Sequence, residues 1–185
     1  MSKGKLFVIS GASGVGKSTV LKAVMAARND LRFSVSATTR APRPGEVEGQ
    51  SYYFITKERF QEMIDQNEFL EYDAHMDNYY GTPQVQLAEK LETGSVILDI
   101  EPNGAFAVQA KRPDAVLIFV APPSIEELHR RLEGRGDTSE AQMKLRWERA
   151  DWEMEQSKRY DYIVINDQVE TCAAEILKII ADKAD

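Results

Sequence analysis

The chain has little cysteine, little histidine and no long apolar run, and each shortage excludes a class of function. Its 185 residues include one cysteine, Cys172, so an intramolecular disulfide and a cysteine metal cluster are both excluded. Two histidines, His75 and His129, are too few for a histidine-rich metal site. No window approaches the roughly 18 apolar residues of a membrane span, and the apolar run at residues 6–9 is far too short for a signal peptide. We therefore expect a cytoplasmic protein without membrane contact.

Positive charge is also in deficit. The chain has 23 lysines and arginines against 30 aspartates and glutamates, a net charge of −7. Sequence-independent nucleic-acid binders take their affinity from neutralised phosphates and are usually basic. An acidic chain that binds phosphate must do so at a local site, so we expect no nucleic-acid partner. The charge balance does not indicate an oligomeric state.

Short apolar runs alternate with longer helical patterns, which is typical of an α/β fold with a mainly parallel sheet flanked by helices. Ser124 is a predicted N-cap, and Glu127 three residues later completes a capping box. The pattern predicts strands at residues 6–9, 96–100, 116–120 and 162–165, and helices at 17–27, 125–133 and 170–181.

Two stretches interrupt this alternation. Residues 33–93 hold several prolines and glycines and most of the tyrosines, which predicts an inserted β-containing subdomain. Residues 134–158 begin with two glycines around Arg135 and continue as a charged helix. The glycines favour a mobile lid, although a charge run is also typical of a solvated helix face. Within one domain of residues 1–185, the predicted core is 1–32, 94–133 and 159–185.

The strongest motif is Gly-Ala-Ser-Gly-Val-Gly-Lys-Ser at residues 11–18, between a predicted strand and a predicted helix. It satisfies the pattern G-x-x-x-x-G-K-[ST] in full. Its glycines let the backbone turn N–H groups inward as a nest for phosphate oxygens, and the helix adds its positive N-terminal end. Lys17 can then reach the β- and γ-phosphates, and the Ser18 hydroxyl can bind Mg²⁺. The motif predicts a nucleoside triphosphate site.

This motif does not identify the phosphoryl acceptor, because both NTPases and kinases carry it. A GTPase should carry N-K-x-D and D-x-x-G patterns, and neither occurs at a useful place. Asp99 suits a Walker-B-like acid, although many buried strands end in an aspartate. Arg40 and Arg43 lie on a proline-stiffened loop, with Tyr52 close behind. Guanidinium groups bind phosphate bidentately, so this loop indicates a second phosphate site, with a solvated basic turn as the alternative.

A series of segments in family order resembles guanylate kinases, the nucleoside monophosphate kinases that make GDP from GMP and ATP. FSVSATTR together with NYYGT is far more specific than a P-loop. The matching segments cover nearly the whole chain: SGASGVGKST at 10–19, FSVSATTRAPR at 33–43, GEVEGQSYYF at 45–54, NEFLE at 67–71, NYYGT at 78–82, ILDIE at 97–101, APPS at 121–124, RLEGRG at 131–136 and ND at 166–167. The resemblance implies a P-loop kinase fold and Mg²⁺-dependent transfer from ATP to GMP, and we expect dGMP to serve as well.

The resemblance also implies two sets of GMP-binding residues. The phosphate would be held by Arg40, Arg43, Tyr52 and Tyr80, and the guanine pocket would be lined by Ser36, Glu71, Thr82 and Asp99. The chemistry of the base agrees, because guanine N1–H and the N2 amino group can both donate to Glu71, and a hydroxyl of Ser36 or Thr82 can donate to O6. AMP would present a bare N1 acceptor to Glu71, which can cost orders of magnitude in kcat/KM. The alternative for Glu71 is an ordinary acid at a helix end.

On the ATP side, the resemblance places Asn166 near the adenine and ribose. The resemblance also assigns Arg131, Arg135 and Arg146 to the transferring phosphates, where they would neutralise charge in a water-poor site. The neighbouring Arg130 and Arg149 are expected to face solvent or pair with glutamates. The implied ATP-binding set is Gly11, Ala12, Ser13, Gly14, Val15, Gly16, Lys17, Ser18, Thr19 and Asn166, with Ser18 as the metal ligand. The implied catalytic set is Lys17, Arg40, Arg131, Arg135 and Arg146.

One segment departs from the family pattern. The family usually has an acid, an apolar residue and Gln-Gly at four positions where this chain has Glu101, Pro102, Asn103 and Gly104. Pro102 suits the first turn of a helix. Two alternative functions remain: a related P-loop kinase with another acceptor, and a non-catalytic guanylate-kinase-like module that binds phosphopeptides.

Overall fold

The computed structural model describes residues 4–75, 77–133 and 139–184. In those residues the elements are, in chain order, β1 (Leu6–Gly11), α1 (Lys17–Ala27), β2 (Arg32–Phe33), β3 (Ala37–Thr38), β4 (Tyr53–Phe54), α2 (Lys57–Asp65), β5 (Phe69–His75), β6 (Asn78–Pro83), α3 (Gln84–Thr93), β7 (Val96–Asp99), α4 (Pro102–Lys111), β8 (Val116–Ala121), α5 (Ile125–Glu133), α6 (Glu140–Gln156), a 3₁₀ turn (Ser157–Arg159), β9 (Tyr162–Ile165) and α7 (Val169–Ala184). None of the helices in this described part is both long and apolar enough to cross a membrane.

The larger sheet has the strand order β2-β7-β1-β8-β9, and all its strand pairs are parallel. Its central strands are continuous apolar runs because helices cover both faces of such a sheet. β1 and β8 are buried along their whole length. In the register of β1 and β7, Ile9 pairs with Asp99. The segments that follow these two strands therefore leave the sheet side by side, where ligands bind in open α/β sheets.

The smaller sheet is mixed, with the order β4-β3-β6-β5. β3 pairs with β4 in parallel and with β6 antiparallel, and β5 and β6 form an antiparallel pair. It has its own small apolar cluster, formed by Ala37, Phe60, Met63 and Phe69. This sheet lies within residues 33–93, the stretch for which the sequence predicted β structure.

The predicted α/β fold class is confirmed, and all seven predicted elements form, three of them with the expected limits. The helices at 17–27 and 125–133 and the strand at 162–165 have the predicted bounds. The last helix is longer than predicted, because it begins at Val169 and ends at Ala184. Pro102 occupies the first turn of α4, as its fixed φ favours.

Only one of the two hydrogen bonds of the predicted capping box of α5 is observed. The Ser124 hydroxyl accepts from the Glu127 N–H at 3.1 Å, as predicted. The Glu127 carboxylate instead pairs with Arg130 and Arg131, each at 2.8 Å. Two guanidinium donors one turn away along the helix hold this carboxylate on the helix flank, away from the cap.

Candidate active site

The phosphate loop, residues 11–18, connects β1 to α1. Gly14 and Gly16 have φ values of 85° and 89°, in the left-handed region that favours glycine. A Cβ on Gly14 would lie 2.7 Å from the Leu132 side chain. Glycine is therefore favoured at position 14 by its backbone conformation, and a side chain there would have to displace Leu132. The turn ends at Gly16, the N-cap of α1, whose first-turn N–H groups are left without helical partners.

Residues from the other end of the chain hold this loop from outside. The buried Asn166 donates from Nδ2 to the Val15 carbonyl at 2.8 Å. Arg131 donates to the same carbonyl at 3.4 Å and to the Asn166 carbonyl at 3.2 Å. A Cβ on Gly16 would lie 2.9 Å from Asn166 Nδ2. Asn166 thus lies under the loop, and its predicted contact with adenine or ribose stays a prediction.

Lys17 begins α1, and its ammonium donates to Asp99 Oδ1 at the end of β7. Burial lowers the pKa of Lys17, but the nearby carboxylates of Asp99 and Glu101 outweigh burial and raise it above its ordinary value. The ammonium therefore stays charged. Register explains this contact, because Asp99 lies beside Ile9 and the loop follows β1 directly.

A cavity of about 220 Å³ lies beside this pair, between the two sheets. It brings together six of the predicted residues, namely Lys17, Ser36, Tyr52, Glu71, Tyr80 and Asp99. Its other lining residues are Asp73, Gly81, Ile100, Glu101 and Gly104. The cavity is therefore bordered by the ammonium of Lys17 from the phosphate loop on one side and by the carboxyl group of Glu71 on the other.

Glu71 is the most deeply buried acid of this cavity, with 4% of its surface exposed. Burial raises its pKa to about 7, and the nearby Asp73 adds to this effect, whereas a hydrogen bond from Thr82 opposes it. The Thr82 hydroxyl, itself fully buried, donates to Glu71 Oε1 at 2.6 Å. Thr82 is therefore placed to hold Glu71, and its hydroxyl proton is engaged there.

The other side of Glu71 is shaped by Gly104. A Cβ on Gly104 would lie 2.7 Å from Glu71 Oε2, so the absence of a side chain lets α4 approach the carboxylate. Next to it, Asn103 donates to Asp73 Oδ2 at 3.3 Å. The segment that departs from the family pattern thus contacts the acids that line the cavity.

The arginine loop is folded around Glu46. Arg40 forms a bidentate pair with Glu46 at 2.9 and 3.0 Å, and the Arg43 N–H donates to the same carboxylate at 2.7 Å. The Arg40 pair lowers the pKa of Glu46 to about 2. The Arg40 guanidinium also lies 5.4 Å from the Tyr52 ring centroid. Arg40 is therefore next to the cavity, whereas Arg43 is exposed and does not line it.

The predicted lid residues are only partly described. Arg135 lies in 134–138, outside the described residues. Arg146 is half-buried on α6, and Arg130 and Arg149 pair with glutamates as expected. The structure also identifies cavity acids that the sequence analysis did not select, Asp73 and Glu101. Asp73 could have been found, because it follows Glu71 by two positions on one strand and therefore shares its face.

The family model described as guanylate kinase matches residues 3–183. A guanylate kinase of Clostridioides difficile (strain 630) is 47% identical over 184 residues, which are 99% of this chain and 90% of that relative. One from Rubrobacter xylanophilus is 48% identical over 181 residues, covering 97% of this chain and 95% of that protein. The crystal structure of guanylate kinase from Anaplasma phagocytophilum has a TM-score of 0.81 and 32% identity, over 100% of this chain and 88% of that one.

Proposed function

Because this chain belongs to the guanylate kinase family and phosphorylates GMP with ATP, we propose that ATP binds the phosphate loop and GMP binds the adjoining cavity. The observation that supports this assignment most strongly is the position of Lys17. Its side chain belongs to the phosphate loop and also lines the cavity that contains Glu71. A γ-phosphoryl group held by Lys17 would therefore face the acceptor.

On the acceptor side, Glu71 accepts from guanine N1–H and the N2 amino group, and Ser36 donates to O6. Thr82 positions Glu71 through their hydrogen bond of 2.6 Å. Asp99 borders the pocket and balances the charge of Lys17. Arg40, Arg43, Tyr52 and Tyr80 bind the GMP phosphate. This role requires Arg40 to exchange or share its Glu46 partner, which a phosphate dianion favours because it offers more negative charge in the same bidentate geometry.

The transfer itself needs no general base, because the attacking GMP phosphate oxygen is already ionised at neutral pH. Catalysis is then positioning and charge stabilisation. Lys17 and Arg40 contact the donor and acceptor phosphates, and Arg131, Arg135 and Arg146 bring further positive charge to the γ-phosphoryl. The remaining loop residues, from Gly11 to Thr19, supply the backbone cradle.

A divalent cation fits the donor half of this site. Mg²⁺ is commonly bound by substrate phosphates, water and one or two protein oxygens, and the Ser18 hydroxyl is exposed at the N-terminus of α1. We assign Ser18 as its protein ligand. Mg²⁺ would neutralise the charge on the β- and γ-phosphates.

We also propose that the chain is divided into a core, a GMP-binding subdomain at 33–93 and a lid at 134–158. Ala150 and Glu153 of α6 are buried. Closure over both nucleotides would therefore move the N-terminal part of α6 and leave its C-terminal part on the core. The cytoplasmic location, the use of dGMP and the lack of nucleic-acid or membrane partners stay predictions.

The test is ADP production from ATP with GMP, dGMP, AMP, CMP and UMP offered separately, with and without Mg²⁺. We expect turnover with GMP and dGMP alone, and only when Mg²⁺ is present. Turnover with AMP would contradict the guanine-reading role of Glu71. ATP binding without turnover of any of these monophosphates would favour a related kinase with another acceptor. Binding of a phosphopeptide with no turnover would favour the non-catalytic module.

A further inference from the structure

Glu153 is a buried acid that none of the roles above uses. It lies near the C-terminal end of α6 with 1% of its surface exposed. Its carboxylate accepts from the Ser13 N–H at 2.7 Å and from the Ser13 hydroxyl at 3.3 Å. Ser13 belongs to the phosphate loop, so α6 is bonded directly to the main chain of the ATP site.

Arg149 holds this carboxylate from the preceding turn of α6. Its Nε donates to Glu153 Oε1 at 2.9 Å, and its Nη2 contacts Glu101 Oε2 at 3.4 Å. Arg149 also stacks over the Trp152 ring at 4.6 Å, which restricts its rotamers. A buried carboxylate is costly unless it is paired and hydrogen-bonded, and these partners meet that condition. Burial raises the pKa of Glu153 and the neighbouring Glu101 adds to this rise, whereas the bonds from Ser13 and Arg149 oppose it.

We propose that Glu153 is a positioning residue for the phosphate loop, with Arg149 as its support. The contact fixes the Ser13 peptide with its N–H pointing toward α6, and Asn166 fixes the Val15 carbonyl at 2.8 Å from the opposite side. The Val15 N–H is itself bonded within the loop, to the Ala12 carbonyl at 3.0 Å. With both peptides held, the N–H groups of residues 16–18 that follow are pre-positioned for the phosphates before ATP arrives. Preorganisation of this kind lowers the ordering cost of binding and of reaching the transition state.

The same contact also bears on the approach of Arg146 to the phosphates. Arg146 precedes Glu153 by about two helical turns, so both residues lie on one face of α6. Anchoring Glu153 to Ser13 therefore fixes the C-terminal part of α6 beside the loop, and the Arg146 part of the helix moves relative to this anchor on closure. The inference rests on the proposed ATP site, and it predicts a defect in the use of ATP that GMP binding does not share.

The test compares Glu153→Gln with Glu148→Gln, which removes the same charge from an exposed position of the same helix. Gln keeps one acceptor oxygen but replaces the other with a donor that faces either Ser13 or Arg149. We expect the KM for ATP to rise about tenfold and kcat to fall about tenfold in Glu153→Gln, because the variant loses one charge-assisted hydrogen bond. The Kd of GMP, measured by calorimetry without ATP, should change less than about twofold, since neither Glu153 nor Ser13 lines the cavity proposed for GMP. Glu148→Gln should match the wild type.

Arg149→Gln is the second variant, because Arg149 is 32% exposed and its loss is less disruptive for folding. Without the guanidinium, Glu153 faces Glu101 with no cation between them, and its charged form is disfavoured. We expect a rise of about threefold in the KM for ATP, in the same direction as for Glu153→Gln. If Glu153→Gln fails to fold by circular dichroism, this variant decides the question.

Three results would overturn the inference. They are an unchanged KM for ATP in Glu153→Gln, an unchanged KM for ATP in Arg149→Gln, and equal losses of ATP and GMP affinity in a folded variant. The third result would indicate a merely structural residue. A fully active Lys17→Ala variant would instead contradict the proposed ATP site, so the two failures are distinguishable.

Discussion

The phosphate loop presents mainly main-chain groups to its proposed ligand, whereas the cavity proposed for the acceptor presents side chains. On the donor side, buried residues from distant parts of the chain fix the peptides of the loop, as Asn166 and Glu153 do. On the acceptor side, Glu71 and Tyr80 lie on β5 and β6 of the smaller sheet, and Ser36 directly precedes β3. One half is held as a rigid main-chain turn, and the other is an arrangement of individual functional groups.

This difference corresponds to what each half must distinguish. Phosphate chains are the same in every nucleoside triphosphate, so a fixed nest of N–H groups is sufficient to bind them. Bases differ in the order of donors and acceptors along an edge, and only placed side chains can match one order and reject another. We therefore expect substitutions in the donor half to reduce turnover generally, and substitutions in the acceptor half to change selectivity.

The largest expected effect is that of Lys17→Ala. Removing the only ammonium of the loop should lower kcat about a thousandfold, since it stabilises charge that develops in the transition state. Steady-state kinetics with GMP and ATP provides the measurement, and circular dichroism should show an intact fold. Lys22→Ala, an exposed change on the same helix, is the matched control. Turnover within a fewfold of wild type would contradict the donor assignment.

Glu71→Gln should reduce kcat/KM for GMP about a hundredfold while the Kd of ATP stays unchanged, because the amide presents a donor to a guanine edge that also donates. The same amide can donate to N1 of AMP, so the preference for GMP over AMP should narrow. Competition assays with both monophosphates measure this ratio. The exposed Glu62→Gln serves as the control. Equal losses for ATP and GMP would remove the distinction between the two halves.

Gly104→Ala tests the acceptor half without touching its charges. The added Cβ would lie 2.7 Å from Glu71 Oε2 and must displace that carboxylate. We expect kcat/KM for GMP to fall about thirtyfold, because displacement of the carboxylate weakens its hydrogen bonds to guanine without removing them. The KM for ATP should change little. Gln109→Ala on the same helix should behave as wild type. A normal KM for GMP would show that the position of Glu71 tolerates this change.

The pH dependence should give the smallest effect. Burial raises the pKa of Glu71 to about 7, and its proposed role toward guanine requires the ionised form. Between pH 6 and 8 the ionised fraction, and with it kcat/KM for GMP, should rise about tenfold. The GMP phosphate also titrates near pH 6, so Glu71→Gln, which keeps only that titration, is the control. A slope that is identical in both proteins would contradict a titrating Glu71.

The same ionisation affects stability with a definite sign. Between the ordinary carboxyl pKa of 4.5 and about 7, the folded protein holds a proton on Glu71 that the unfolded chain has released. The contribution of Glu71 to the free energy of unfolding therefore falls as pH rises through this window and is constant above it. Urea unfolding of wild type and Glu71→Gln at several pH values measures the difference.

Much of the fold could be predicted because its signals are local. The apolar run of β1, the glycines of the loop and the apolar face of α1 specify a strand, a turn and a helix by nearest-neighbour sterics and periodicity. This is why α1 has its predicted bounds. The Ser124 cap was also predictable, since an N-cap needs only a hydroxyl and a nearby N–H.

Side-chain partners were harder to predict, even for residues with a clear motif. Arg40 is predicted to bind phosphate, and within the protein it pairs with Glu46, a contact that the motif did not indicate. Thr82 is predicted to line the guanine pocket, and within the protein it donates to Glu71. Asn166 was expected near adenine and lies beneath Val15. In each case the motif indicated the region, and the partner depended on which groups the packing brought within hydrogen-bond distance.

The residue pairs that build the site are far apart in sequence. Lys17 and Asp99 meet across 82 positions, and Ser13 and Glu153 across 140. Periodicity and turn chemistry act over a few residues, so they determined the strands, the helices and the phosphate loop from the sequence alone. The register of β1 with β7 and the packing of α6 on the loop arise only when the whole core forms. Those long-range arrangements decided which charged groups face one another, because each buried charge must find its partner within about 3 Å.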